Sequence, residues 1–510
     1  MRHFVTFIFV LLSISLYAQL KNVDFGTESK LERSLRYQKI IGGNQDGFYV
    51  LKINEYKQLY IDYISNLTKT TDWSSKIVFP SILGYEIKFT DMYYMQGNLI
   101  MFLSTKTPRS NYEALYVCYL KEDGTLKNKP IKIGEYLNAT EPSIEYSKLQ
   151  KSFLIRFDPY FSQYNGELFT FKLYDATLKE RLSKKLSLPM KERVFSIIDC
   201  KIDENKNIYF NIKAEEQSKR RSRTRSKSYE NLILAYYNKT NTYKSFTIKL
   251  KKYTTTDIIF DFDKSGNIVV AGLYKARNSR NGSLLGGFYK KINPSIQKFV
   301  PIKAKTNYKT FDRTFQAEFL NKRNGDNAKD IYNFKLKGIY FFKDDNFVFI
   351  AEQYYKNSEI ITDPMTKEEI YIHYHHYNDL IVFGVKNKVL NWYYRIPKNQ
   401  YSINDDGFNS SFYAAMTKYN NLKLVINDHP SNIDETDLDK IKEIKYNKDR
   451  YPKGMATLYT IFIDGGKQKE PMFDGNDKVV VPKSLIYKNN DTFYFYQQNK
   501  NKYKFGSFYF

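Results

Sequence analysis

Read as a string of apolar and polar positions, the chain alternates short β-rich runs with small clusters of Asn, Asp, Gly, Lys and Gln. One unit recurs: a polar turn followed at once by a strand-like run. It is seen in Gln45-Asp-Gly-Phe-Tyr-Val-Leu51, Gln96-Gly-Asn-Leu-Ile-Met-Phe102, Gln150-Lys-Ser-Phe-Leu-Ile-Arg156 and Asn205-Lys-Asn-Ile-Tyr-Phe-Asn211. It returns in Asp263-Lys-Ser-Gly-Asn-Ile-Val-Val-Ala271, Lys343-Asp-Asp-Asn-Phe-Val-Phe-Ile350, Tyr419-Asn-Asn-Leu-Lys-Leu-Val425 and Lys488-Asn-Asn-Asp-Thr-Phe-Tyr-Phe495. The turn residues accept tight or left-handed backbone, and the Val, Ile, Phe and Tyr behind them suit a half-buried strand.

Further strand-like runs flank most copies, as Ile258-Ile-Phe-Asp-Phe262 and Gly338-Ile-Tyr-Phe-Phe342 do. Each unit therefore holds about four strands, repeating at about 50 residues early in the chain and about 70 or more late. Four-stranded units repeated around an axis predict an all-β fold, a single β-propeller of seven to eight blades over residues 19–510. A sandwich or a two-sheet array is the alternative. Seven units are full; the last, Ser484–Phe510, has room for three strands. A strand near Leu20–Phe25 would complete it and close the ring, removing exposed sheet edges.

The late units are longer because of insertions near 307–334, 356–376 and 434–451. Asp312–Asn324 is helix-compatible, with Phe315, Phe319 and Leu320 near one face and Gly325 placed to end it. Glu435–Tyr451 is charged, with helix-like stretches entered through Asp434-Glu-Thr-Asp-Leu-Asp439. Insertions on a repeat scaffold tend to gather on one face and to carry binding.

The first residues set the expected compartment. Arg2 and His3 precede an apolar run, Phe4–Leu16, and then Tyr17-Ala-Gln19, the pattern of a cleavable signal peptide over residues 1–18. No later apolar run approaches the about 20 residues of a membrane span. Export permits a disulfide, yet Cys118 and Cys200 fall in different repeats and read as separate buried thiols.

The formal charge of +25 changes little by itself, since lysines spread over the whole surface need no ligand. Export argues against nucleic acid, which leaves acidic glycans, anionic headgroups or an acidic protein. Locally the charge is concentrated in Lys219-Arg-Arg-Ser-Arg-Thr-Arg-Ser-Lys227. Lys219, Arg220, Arg221, Arg223, Arg225 and Lys227 repel one another, so the run is expected as a solvated hairpin tip, or as a clamp on an anionic partner.

Other chemistry is sparse. His373-Tyr-His375-His376 puts His373 and His375 on one strand face, with Asp379 just beyond, a candidate set of metal-ion ligands. An aromatic, polar hairpin edge explains the same residues. Asn404-Asp-Asp-Gly-Phe-Asn409 has the composition of a calcium loop but fails its spacing and reads as a turn. No nucleophile elbow, phosphate loop or zinc-helix motif occurs. Paired carboxylates acting on a glycan need no local motif.

Trp392-Tyr-Tyr-Arg-Ile-Pro-Lys-Asn-Gln400, Asp405-Asp-Gly407, Ser410-Ser-Phe412 and Ile426-Asn-Asp428 resemble exported propeller-like proteins common in the Bacteroidota, most closely over Asn346–Asn432. The Tyr-Ala-Gln end of the signal fits the same group. The resemblance implies a propeller fold and carries no catalytic residues. Pro397 is expected to end a strand and Trp392 to pack between blades. The chain ends in a strand-like run, Tyr503–Phe510, rather than in an appended sorting module. The expected function is a non-enzymatic periplasmic binding or scaffold protein on an outer-membrane complex, such as one for protein translocation or assembly, or on an acidic envelope component. The alternatives are a glycan-binding or glycan-cleaving propeller, and a metal-dependent protein using His373 and His375.

Overall fold

Each recurring turn joins the first and second strands of an antiparallel sheet. The turns use backbone that their residues tolerate: Gln96, Lys151, Lys206, Asp344, Asp345 and Asn420 have positive φ, as do Gly97 and Gly266. The computed structural model describes residues 22–509 apart from 31–34, 80–81, 83, 108–110, 138–139, 148–150, 159–167, 190–194, 216–228, 278–282, 303–305, 320–330, 363–364, 406, 448–453, 474–477, 489–491 and 500–501. The signal peptide expected over residues 1–18 lies outside these.

The described residues form eight sheets, here numbered one to eight. Their first strands begin at residues 35, 87, 143, 195, 253, 334, 412 and 486, so the repeat lengthens after sheet four as expected. Most sheets are plain meanders of four strands; sheet five adds Tyr308–Thr310, and sheet six adds Ile444–Asn447. Sheet eight takes three strands from Ile486–Lys488, Thr492–Asn499 and Lys502–Tyr509. Asn22–Phe25 then pairs antiparallel with the last of these, which is the expected closure.

Burial follows strand position. Within the ring the second and third strands are the most buried; Leu422–Asp428 and Met455–Ile461 are buried throughout. Fourth strands such as Thr71–Lys76 face solvent. First strands such as Phe195–Ile202 alternate, with one side buried and the other more open.

Side chains then join the sheets into a ring. Sheets one and two share Leu51, Ile61, Met101 and Leu103; two and three share Phe102 and Phe153. Three and four meet at Phe171 and Phe210, and four and five at Ile233 and Phe260. Phe349 and Phe383 of sheet six join sheet five, Ile350 and Leu424 join six to seven, and Val425 and Phe493 join seven to eight. Phe48 and Phe505 return from eight to one. A closed series of antiparallel sheets, each packed on two neighbours, is the β-propeller architecture.

Several local expectations need correction. The helix is shorter than expected, Arg313–Ala317, capped by Asp312, whose carboxylate accepts from the Phe315 amide at 2.8 Å. Phe315 and Phe319 pack inward as expected, while Leu320 and Gly325 lie outside the described residues. Among its described residues, Glu435–Tyr451 holds one 3₁₀ turn, Leu438–Lys440, and then Ile444–Asn447. That strand pairs in parallel with Gln400–Ile403, so sheet pairing overrides the helical propensity of the charged stretch. Pro397 does not end a strand but sits within Val389–Ile403. Trp392 does pack between sheets six and seven, its indole N–H donating to the Ile463 carbonyl at 3.0 Å. Cys118 and Cys200 are free, buried thiols in sheets two and four, both pushed up to about 12 by burial.

Candidate functional site

In a meander the turns after the first and third strands share one end of the sheet. The connection after the second strand and the crossing to the next sheet share the other. The first end is built from tight turns, such as Gln96–Gly97 and Asn387–Lys388. All three insertions reach the second end: the crossing from sheet five to sheet six, the hairpin of sheet six, and the link between the second and third strands of sheet seven. The basic run, Lys219, Arg220, Arg221, Arg223, Arg225 and Lys227, lies outside the described residues. It belongs to the connection between Ile208–Glu215 and Tyr229–Tyr237, and so to this same loop-bearing end.

Beneath that end lies a buried polar network that sequence reasoning did not assemble. Lys398 donates to Glu352 at 2.7 Å, to the Tyr377 carbonyl at 3.0 Å and to Gln400 at 3.1 Å. The other Glu352 oxygen receives the Ser411 hydroxyl at 2.9 Å and the Lys337 ammonium at 3.1 Å. Gln400 donates to the Asn427 carbonyl and accepts from the Ser411 amide. Asn427 bridges onward, donating to the Asn409 and Val480 carbonyls and accepting from the Val480 amide. Burial raises the Glu352 carboxyl, but the Lys398 and Lys337 ammoniums outweigh it and hold it below the usual carboxylate range. The segments that carry the family resemblance supply Lys398, Gln400, Ser411 and Asn427, so they converge in space on one network. Both charges of the Glu352–Lys398 pair are fully buried. Through these bonds the network links sheets six, seven and eight beneath the loops.

The histidine set does not assemble as expected. His373 and His375 share a face of Glu369–Lys386, but His373 is bonded to the Ser358 hydroxyl at 2.9 Å and His375 is buried against the Tyr354 hydroxyl at 3.1 Å. Asp379 is held by Arg395 at 2.7 Å and by the Lys398 amide at 3.0 Å. The carboxylate is thus committed to a cation, and no three His, Cys, Asp or Glu side chains gather as metal ligands among the described residues. The bland reading, an aromatic hairpin edge, describes the stretch: His376 stacks on Tyr355 at 4.3 Å and packs on Tyr401 at 4.8 Å. At Asn404–Asn409 the expected turn is present, with the Gly407 amide donating to Asp405 and to Ser402.

The first strands carry a further repeat that the sequence reading missed. Five of them shift register at a corresponding place: Tyr37/Lys39, Phe89/Asp91, Ile197/Asp199, Thr255/Asp257 and Leu336/Gly338. A bulge re-aims the side chain beside it, and three of these positions hold Asp. Asp257 accepts the Leu336 amide of the next sheet at 2.8 Å, and Asp91 pairs with Lys39 of the preceding one. Burial pushes the Asp199 carboxyl up to about 6; Lys201 opposes this, and Glu145 and Asp261 add to it. Aligning the repeats one strand upstream of the turns would have exposed the recurring Asp.

No family model matches the chain, and no curated protein does. Among solved structures it is similar to a polysaccharide lyase of family PL25, an ulvan lyase, at 8% identity and TM-score 0.40, covering 87% of this chain and 96% of that one. It is also similar to the β-propeller domain of the Trilobed protease from Pyrococcus furiosus, at 8% identity and TM-score 0.33, covering 87% and 97%. A third is the α-L-arabinanase of Penicillium chrysogenum, at 12% identity and TM-score 0.29, covering 65% and 93%. Likeness this distant assigns no chemistry to this chain. Among the described residues no helix is long and apolar enough to cross a membrane.

Proposed function

We propose that this chain is an exported, eight-bladed propeller that binds a partner through its loop-bearing end, as a periplasmic docking subunit of an outer-membrane assembly. One observation carries the reading: every long insertion, and the connection holding the basic run, emerges at the same end of the ring. The rigid sheets fix where the loops leave, and loops on a rigid scaffold are where binding residues concentrate. The signal-like start and the net charge of +25 favour an anionic envelope partner. A tagged full-length chain, drawn from gently solubilised native envelopes, is expected to bring down one stoichiometric outer-membrane partner. Deleting Lys219–Lys227 weakens that association, and raising the salt does the same. A chain recovered alone at low salt overturns the reading.

A glycan-cleaving role has one observation in its favour. Asp199 is a half-buried carboxyl pushed up to about 6 chiefly by burial, with Glu145 and Asp261 adding to the shift. Glycoside cleavage draws on a raised carboxyl of this kind working with a second one. Release of sugar fragments from a panel of anionic and neutral polysaccharides, lost in Asp199→Asn, would support it. An inert wild-type chain across the panel removes it.

A further inference from the structure

The hairpin of sheet six runs well past the sheet it belongs to. Its strands, Phe347–Thr362 and Glu369–Lys386, shift register once between Glu352 and Tyr354 and then stay paired out to Thr362 opposite Glu369. Support falls away step by step. The preceding strand ends its pairing at Gln353, with one further bond from the Tyr354 amide to the Asn333 carbonyl. On the other edge the pairing with Val389–Ile403 stops at Tyr374, followed by a bond from the Asn404 amide to the His373 carbonyl. Beyond these, among the described residues, the arm is a two-stranded ribbon with no strand on either edge.

A ribbon of two strands is marginal by itself, and this one is stiffened at its base. Tyr354 packs on Tyr377 at 4.8 Å, Tyr374 lies over Tyr401 at 5.7 Å, and the Tyr374 hydroxyl donates to Glu359 at 2.7 Å. Cross-strand aromatic pairs of this kind hold a hairpin in one shape. The tip they hold out is apolar on both faces. Ile361 pairs with Ile370 on one face and Ile360 with Tyr371 on the other. All four are exposed, at 41%, 47%, 54% and 54%. Clustered exposed aliphatic and aromatic residues, with free strand edges, mark an interaction site. The exposed charge around them is acidic on balance, Glu359, Glu368 and Glu369 against Lys356 and Lys367, on a chain whose total is +25.

From these features we propose that the arm tip inserts into an apolar groove, rimmed by Lys and Arg, on a protein partner. The apolar faces require a greasy slot and the flanking carboxylates require a basic rim. A stiff base lowers the ordering cost of docking. This inference rests on the reading that the loop-bearing end is the docking face. It assigns the arm a contact separate from the basic run.

The test places a photo-crosslinking side chain at Tyr371 in the full-length chain within native envelopes. A control carries it at Ile296, an exposed residue in a turn at the opposite end of the ring. The expected result is a heterologous protein cross-linked from Tyr371 and not from Ile296, with the joined peptide apolar and flanked by Lys or Arg. Combining Ile360→Asp with Ile370→Asp is expected to cut the cross-link about tenfold or more. Glu368→Lys with Glu369→Lys, which leaves every apolar contact in place, is expected to cut it too. Cross-linking to a second copy, to lipid or glycan, or equally from both positions, overturns the proposal. So does a cross-link that survives both double variants. A partner still captured through the basic run while Tyr371 stays silent sinks the arm contact alone; a chain with no partner sinks the docking reading itself.

Discussion

Sheets three and four meet across Phe171, Leu173, Phe210, Ile212 and Leu234, all buried and apolar. Sheets six and seven also share apolar side chains, but at their loop-bearing end they meet through Glu352, Lys398, Gln400, Ser411 and Asn427. The early repeats are shorter overall, and there greasy faces close on one another. The late repeats carry the arm and the long crossings, whose backbone passes over the sheet ends. Those buried amides and carbonyls must find partners or cost free energy, and the polar network supplies them. The price of insertions in this ring is therefore specific, mutually satisfied polar side chains beneath them.

That contrast can be broken most sharply at Lys398. Lys398→Ala leaves the Glu352 carboxylate buried without its main counter-charge and is expected to cost about 3–5 kcal/mol, read from urea unfolding. Pairing it with Glu352→Leu should recover part of that loss, because the stranded charge is gone. A loss below about 1 kcal/mol would show that the late sheets do not depend on the network. The matching truncation in the early sheets, Leu234→Ala, removes apolar contact and leaves a cavity, at about 3 kcal/mol. No second substitution of a polar partner should rescue it.

Asp199 gives a pH-dependent measure of the first-strand bulges. Its carboxyl binds a proton more tightly in the folded chain than in the unfolded one. Its ionisation therefore weakens the fold as pH rises from about 4 to about 6, and the penalty persists above that. Asp199→Asn is expected to stabilise the chain at pH 7 by about 2 kcal/mol or less, with the gain gone by about pH 4. Thermal unfolding across that range checks it; a gain independent of pH would remove Asp199 as the cause.

The smallest expected effect is in a repeat turn. Gly266 has φ +74° and open space where a Cβ would stand, so Gly266→Ala tests backbone strain alone, at about 1 kcal/mol. Equal losses at Gly266 and Lys398 would erase the distinction between local turn and long-range network.

The turns and strands were legible in the sequence because their causes are local. Asn, Asp and Gly next to Phe, Val and Ile decide a hairpin within a few residues, so all eight first-to-second turns could be placed from the text. The two buried thiols and the closing strand Asn22–Phe25 followed from counting those repeats. Four of the network's side chains fall within Trp392–Gln400, Ser410–Phe412 and Ile426–Asp428, although nothing in the text showed what joined them.

What only the tertiary structure decided was which distant groups meet. Lys398 and Glu352 are 46 residues apart, Ser411 and Glu352 are 59, and Asn427 and Val480 are 53. Asp379 looked like a metal ligand beside His375 until Arg395 took its carboxylate. Glu435–Tyr451 held helix-like stretches, yet the free edge of sheet six took Ile444–Asn447 as a parallel strand. Hydrophobic period and turn chemistry act over one or two strands and can be read along the chain. Charge pairing and edge pairing act across space, and they are fixed only when the ring has closed.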